Sequence, residues 1–318
     1  MSLKRSVRLV SLLTCIGMFF VLLAGTIVTK TDSGRGCGDD WPLCNGKFIP
    51  AYTLESIIEW SHRFISGIVG ILVVATFVLV WRQMKARKDA VFYAAMALVF
   101  TILQAILGAM AVVWPQSDAV LAIHFGISLI AFASTLLLVV AVRRRNDELP
   151  IVRGVYTAGY RALNYGSVIF SYIVVYLGAY VRHTESFGGC PDWPLCNGQL
   201  IPELSGPTGI AFVHRLAALI MLILVVWLFV WTMRIRSMPG YMQTAGKIAL
   251  VTIILQVLSG GLVTFALGDE DIFIFTALIH NMIIGALFSV QCYMAIEVWR
   301  SARQGASHAA SPNLRNLR

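Results

Sequence analysis

The chain has 318 residues, of which 58% are hydrophobic and 13% charged, with a formal net charge of +9. A soluble domain is nearer half apolar and a quarter charged, so these proportions exclude a water-soluble core and point to a polytopic membrane protein. The basic excess does not indicate a nucleic-acid partner, because Lys and Arg gather in alternate connecting segments instead of in one patch.

Eight apolar runs, near 9–28, 58–81, 91–113, 118–142, 163–181, 208–232, 248–267 and 272–297, are the predicted membrane helices. Each can cross a hydrocarbon layer of about 30 Å. The first run follows a basic start and could be taken for a signal peptide. Its end, Gly25-Thr-Ile-Val28, returns as Gly178-Ala-Tyr-Val181 at the end of the fifth run, so it is assigned to the fold. With the N-terminus inside, the inner segments hold Lys4, Arg5 and Arg8, Lys85, Arg87 and Lys88, Arg143 to Arg145, Arg153 and Arg161, then Arg234, Arg236 and Lys247. The outer loops hold only Lys30, Arg35, Lys47 and Arg182. That asymmetry predicts both termini in the cytoplasm.

The chain repeats itself. Cys37-Gly-Asp-Asp-Trp-Pro-Leu-Cys44-Asn-Gly in the first outer loop matches Cys190-Pro-Asp-Trp-Pro-Leu-Cys196-Asn-Gly in the third. Cys44 precedes His62 by the same interval as Cys196 precedes His214. Leu103-Gln104-Ala-Ile-Leu-Gly108 matches Leu255-Gln256-Val-Leu-Ser-Gly260, and His124 and His280 follow. The predicted fold is therefore all-α: eight transmembrane helices as two tandem, pseudo-symmetric four-helix bundles of the same orientation. The divisions are an N-terminal half over 1–145, a cytoplasmic linker over 146–162, a C-terminal half over 163–300 and a disordered tail over 301–318.

Cys37 and Cys44 share one outer loop, Cys190 and Cys196 the other. Topology sends both pairs to the oxidising face, where disulfides persist. A zinc site is the rival, but the spacing is loose for one and no second pair stands nearby. Cys15 and Cys292 lie within helices as small buried or lipid-facing residues.

Four histidines occupy repeated positions, five to seven residues inside the outer helix ends, about 7–10 Å deep. Helices 2 and 4 of an up-down bundle are diagonal, with axes roughly 13 Å apart. Paired inward imidazoles across that gap suit a flat iron macrocycle, so heme is the natural occupant of His62 with His124 and of His214 with His280. A histidine proton relay is the competing reading. Arg63 and Arg215 follow a histidine directly and either reach heme propionates or extend to the lipid headgroups. Trp41-Pro42 and Trp193-Pro194 are interfacial anchors or covers for the heme edges. Gln104 and Gln256 are assigned to interhelical hydrogen bonds.

Glu59 lies one turn before His62 on the same helix face, and its counterpart is Ala211. A carboxylate beside only one of two duplicated sites suggests one reactive site and one electron-transfer site. Helix-start electrostatics is the alternative for Glu59.

Glu59-Trp-Ser-His-Arg63, the two Cys-bearing loops, His124 in Ile-His-Phe-Gly-Ile-Ser, the run Tyr180-Val-Arg-His-Thr-Glu-Ser186, His214 and His280 together resemble the heme A synthase family from about residue 10 to 297. The resemblance implies an oxidoreductase that converts the C8 methyl of heme O to a formyl group, giving heme A for terminal oxidases. It also implies substrate heme on His62 and His124, a heme b cofactor on His214 and His280, and catalysis by Glu59. Disulfides within the outer loops follow from it too, as does a multi-pass position in the cell membrane with the heme sites toward its outer face. Heme O synthase and terminal-oxidase assembly factors are the implied partners. A diheme electron-transfer protein and a heme transporter or chaperone are the other function classes. A reporter fused after residue 145 is expected to read cytoplasm, and one near residue 200 the outer face; the reverse pattern would sink this topology.

Overall fold

The structure is a computed structural model describing residues 3–50, 52–114, 118–144 and 155–309. It is all-helical among those residues, with eight long helices: α1 Leu3–Lys30, α2 Leu54–Gln83, α3 Lys88–Val113, α4 Asp118–Arg143, α5 Ala158–His183, α6 Gly206–Arg234, α7 Gly240–Phe265 and α8 Glu270–Ala309. All eight are long and apolar enough to cross a membrane.

Capping and turn residues account for the starts. Thr53 precedes α2 and its hydroxyl accepts from the backbone N–H of Ser56 at 3.4 Å. Pro207 stands in the first turn of α6, where a missing N–H costs nothing. Asp269 accepts from the N–H of Ile272 at 3.0 Å and caps α8. The helix α5 begins at Ala158, earlier than its apolar run implies, because Thr157 caps it by accepting from Tyr160 N–H at 3.2 Å. At the other end α8 runs on to Ala309, through part of the segment expected to be disordered. Ala302, Arg303, Gln304 and Ala306 are strong helix formers and extend the last span past the apolar run. The rest of that tail, and most of the 146–162 linker, lie outside the described residues.

Short connections make sequential helices neighbours. In the first half α1 packs on α2 and α4, and α3 packs on the same two, leaving α2 and α4 diagonal. In the second half α5 and α7 each pack on α6 and α8, which leaves α6 and α8 diagonal. The halves meet along α4 with α5 and α8, and along α1 with α8. That seam makes α4 the most enclosed span, with 67% of its central window buried against 11% for α3. Elsewhere the outward stripe of α2, Phe64, Ile68, Ile71, Val74, Val78 and Trp81, is exposed as expected of a lipid-facing surface.

At the end of α4 remote from the outer loops, Arg144 ties the seam. Its Nη1 donates to Glu297 of α8 at 2.7 Å, its Nη2 donates to the Tyr293 hydroxyl, and its guanidinium lies 5.0 Å from the Tyr293 ring centre. Glu297 is only 5% exposed. Replacing Glu297 with Ala leaves a half-buried guanidinium without its carboxylate and is expected to cost about 3 kcal/mol. The check is a lowered Tm in detergent, with much of the loss recovered in the Arg144→Met/Glu297→Leu double variant. An unchanged Tm in the single variant would contradict this role.

Candidate functional site

Each repeated loop folds back onto the helix that carries the histidine. The sulfurs of Cys37 and Cys44 lie 2.07 Å apart and those of Cys190 and Cys196 1.93 Å apart, both at bonding distance. Asn45 and Asn197 take left-handed conformations beside Gly46 and Gly198, which closes each loop tip. Both Trp-Pro bonds, Trp41-Pro42 and Trp193-Pro194, are cis. Gly36 presses on the first turn of α2: a Cβ there would lie 2.3 Å from the Glu55 carbonyl carbon. Gly189 does the same on α6, 2.5 Å from the Pro207 carbonyl carbon. Ser56 and Thr208 donate their hydroxyls to the carbonyls of Gly36 and Gly189, respectively.

Arg63 and Arg215 clamp these loops. Nη1 of Arg63 donates to the carbonyls of Asp40 at 2.8 Å and Leu43 at 2.7 Å. Nη1 of Arg215 donates to the equivalent carbonyls of Asp192 at 2.6 Å and Leu195 at 2.7 Å. The loop-binding role was not legible in the sequence, where each arginine had only a propionate or headgroup reading. Trp193 packs against Gly261 of α7, while Trp41 is half exposed, so the two tryptophans are not equivalent. Backbone N–H groups of Gly198 and Asn197 donate to Asp192 at 2.7 and 2.6 Å and hold its carboxyl below the ordinary carboxylate range.

The second Nη shows where the halves part. In the first half, Arg63 Nη2 donates to Glu59 Oε1 at 2.5 Å, and Glu59 Oε2 accepts from the backbone N–H of Cys37 at 2.8 Å. Glu59 is 3% exposed, so both oxygens of a buried carboxylate are partnered. In the second half the carboxylate is replaced by Ala211, and Arg215 Nη2 turns to the Cys190 carbonyl at 2.6 Å and the Thr264 hydroxyl at 3.2 Å. Val112 occupies the position equivalent to Thr264 and could not accept that bond.

The four histidines sit on the diagonal helices, His62 and His124 on one pair and His214 and His280 on the other. A glycine on a neighbouring helix faces every imidazole. A Cβ would stand 3.3 Å from His62 Cε1 at Gly25, 3.6 Å from His124 Cε1 at Gly108, 2.9 Å from His214 Cε1 at Gly178 and 3.4 Å from His280 Cε1 at Gly260. The repeat contained this signal, since Gly25 matches Gly178 and Gly108 matches Gly260, but not which side chain fills each gap. Nδ1 of His62, His124 and His214 is buried without a hydrogen-bond partner. His280 differs: Ser259 stands 2.9 Å from its Nδ1 and Gln256 Nε2 is 2.9 Å from its Nε2. Gln104 instead donates to the His124 carbonyl at 2.5 Å, so both glutamines link helices as expected. Leu107 replaces Ser259 in the first half.

Among the described residues no group of three or more His, Cys, Asp or Glu could hold a metal ion. Histidine pairs alone suit iron whose remaining ligands come from a macrocycle. Four glycine-faced imidazoles, three of them with a buried Nδ1 that has no partner, fit that requirement.

Residues 8–292 match the family model described as cytochrome oxidase assembly protein, COX15-CtaA. The chain is 38% identical over 300 residues to the heme A synthase of Halalkalibacterium halodurans, covering 94% of this chain and 99% of that protein. It is 41% identical over 310 residues to that of Bacillus licheniformis, covering 95% and 99%. With the heme A synthase of Geobacillus kaustophilus it shares 38% identity over 312 residues, 97% of each chain. The repeated loops, the four histidines and the single acid thus lie within a likeness that spans nearly the full length, and the chain belongs to the COX15-CtaA family of heme A synthases.

Proposed function

We propose that this chain oxidises the C8 methyl group of heme O to a formyl group, producing heme A. The observation that carries the proposal is that two similar histidine pairs are built on diagonal helices and only the first has a buried acid one turn from a ligand. A diheme relay or a heme carrier has no use for that difference.

In this reading the halves are two bundles, 1–145 and 163–300, with both termini in the cytoplasm and the heme sites toward the outer face of the cell membrane. His62 and His124 hold the iron of the substrate, heme O. His214 and His280 hold the iron of a resident heme b, which supplies one-electron redox chemistry when bound. The Ser259 hydroxyl fixes the ring plane of His280, as outer partners of ligand imidazoles do. Glu59 is the catalytic residue: removing electrons and protons from a methyl group calls for a nearby acceptor of protons. The Cys37 N–H and Arg63 fix the direction of its carboxylate and balance its charge. Arg63 keeps a buried, unpartnered Nε, which supports a further contact with a heme carboxylate beyond the loop clamp. For Arg215 the same propionate role is retained beside its loop bonds. Heme O synthase as donor of the substrate, and terminal-oxidase assembly factors as receivers of the product, are the partners this chemistry calls for.

Two predictions follow the geometry. His214→Ala and His280→Ala are expected to remove most resident heme b from the purified protein. Gly178→Ala is expected to do nearly the same, because its Cβ meets the His214 ring at 2.9 Å, whereas Gly260→Ala, at 3.4 Å from His280, retains most of it. Absorbance of the isolated protein reads all four. Equal heme content across them would contradict the assignment.

Glu59→Gln keeps the size of the side chain and loses its charge. Cells supplied with heme O are expected to accumulate heme O, or a partly oxidised alcohol, with heme A lowered on the order of a hundredfold, the usual scale for one general acid–base group. Heme b in the second half should be unchanged. Chromatography of extracted hemes decides: full heme A production would reduce Glu59 to a helix-start residue.

A further inference from the structure

The seam at the outer end carries a basic cluster that the reaction does not use. Lys30 ends α1 in the first half, yet its ammonium lies 4.3 Å from the ring centre of Phe273 on α8 and 6.0 Å from that of Phe187, both in the second half. Lys30 is half-buried and forms no ion pair among the described residues. The nearby carboxylate, Asp32, is taken by Arg182 at 2.9 Å. Arg182 itself crosses the seam the other way, since it ends α5 and donates to the Thr29 carbonyl of the first half. Asn281 of α8 adds a third crossing, donating to Thr26 of α1 at 3.1 Å.

Gly25 matches Gly178, so Lys30 is the counterpart of His183. Phe273, on which Lys30 rests, is two turns outward of His280, roughly 10 Å along the axis. The first half thus ends its first helix with a basic group outward of a histidine of the second half. An ammonium on an aromatic surface near a membrane, without a carboxylate, lacks the partner that such charges require.

We propose that Lys30 is a carboxylate-binding residue exchanged between the halves: carried by the first half, it binds a propionate of the heme held by His214 and His280. This rests on the heme assignments above. It makes the second-half pocket complete only when both halves are in place.

The experiment uses the full-length, heme-replete protein in detergent, with redox titration followed by absorbance and with added ferric protoporphyrin IX as the probe for the first-half site. Lys30→Met is expected to lower the midpoint potential of the resident heme, because loss of a nearby cation favours the ferric form. It should also speed loss of that heme about tenfold, the worth of one charge-assisted hydrogen bond. Lys30→Arg should restore both properties. Phe273→Leu, which removes the ring and keeps the ammonium, should leave the potential near that of the parent.

An unchanged resident potential in Lys30→Met would overturn the proposal, as would an effect of Lys30→Met confined to the first-half site. A common loss of Tm in Lys30→Met and Phe273→Leu with no shift in potential would reduce Lys30 to a clamp. His280→Ala separates this from the underlying assignment: if that variant keeps the resident heme, the assignment itself fails, and if it loses the heme while Lys30→Met changes nothing, only the exchange fails.

Discussion

A guanidinium near the membrane interior must satisfy its donors from within the protein, and in this chain that requirement shapes both sites. Arg63 and Arg215 point their Nη1 groups at paired loop carbonyls, Asp40 with Leu43 and Asp192 with Leu195. The loops therefore lie down on the helices that carry His62 and His214. The disulfides shape the loops locally, but the arginines set where the loops rest. Gly36 and Gly189 permit it, because any side chain there would strike the backbone of the next helix.

Duplication with a few substitutions turns one architecture into two environments. Glu59 against Ala211 changes the partner of the second Nη group, and Val112 against Thr264 supplies the hydroxyl that replaces the carboxylate. Leu107 against Ser259 gives one histidine of the second half an oriented ring, while His124 keeps an unpartnered Nδ1. A buried carboxylate with two charge-assisted partners is held in one direction, and a histidine with a hydroxyl partner is held in one plane. Fixing an acid suits chemistry on a bound group; fixing a ligand suits a permanent cofactor.

The seam joins these environments. Arg144 and Glu297 close it at one end, and Lys30, Arg182 and Asn281 cross it at the other. Between them α4 packs on helices of both halves and is more enclosed than α3. Packing of this kind makes the halves mutually dependent, although each carries a full histidine pair.

The amino-acid sequence by itself determined the number of helices, the repeat, the rank of the four histidines, the cysteine pairs and the lone acid. Those are properties of axial position and short range: apolar length marks a span, i to i+3 spacing marks a face, and cysteines a few residues apart in one loop are within reach of each other. Only the tertiary structure decided where side chains point between helices. The arginines could not be assigned to loop carbonyls from their place next to a histidine, since a long side chain reaches any of several acceptors. The glycines at 25, 108, 178 and 260 read as repeated small residues, and their role emerged when a histidine from the next helix occupied the space of the missing Cβ. The reach of Lys30 into the opposite half depended on how α1 packs against α8, a contact between segments far apart in the chain that no local periodicity encodes.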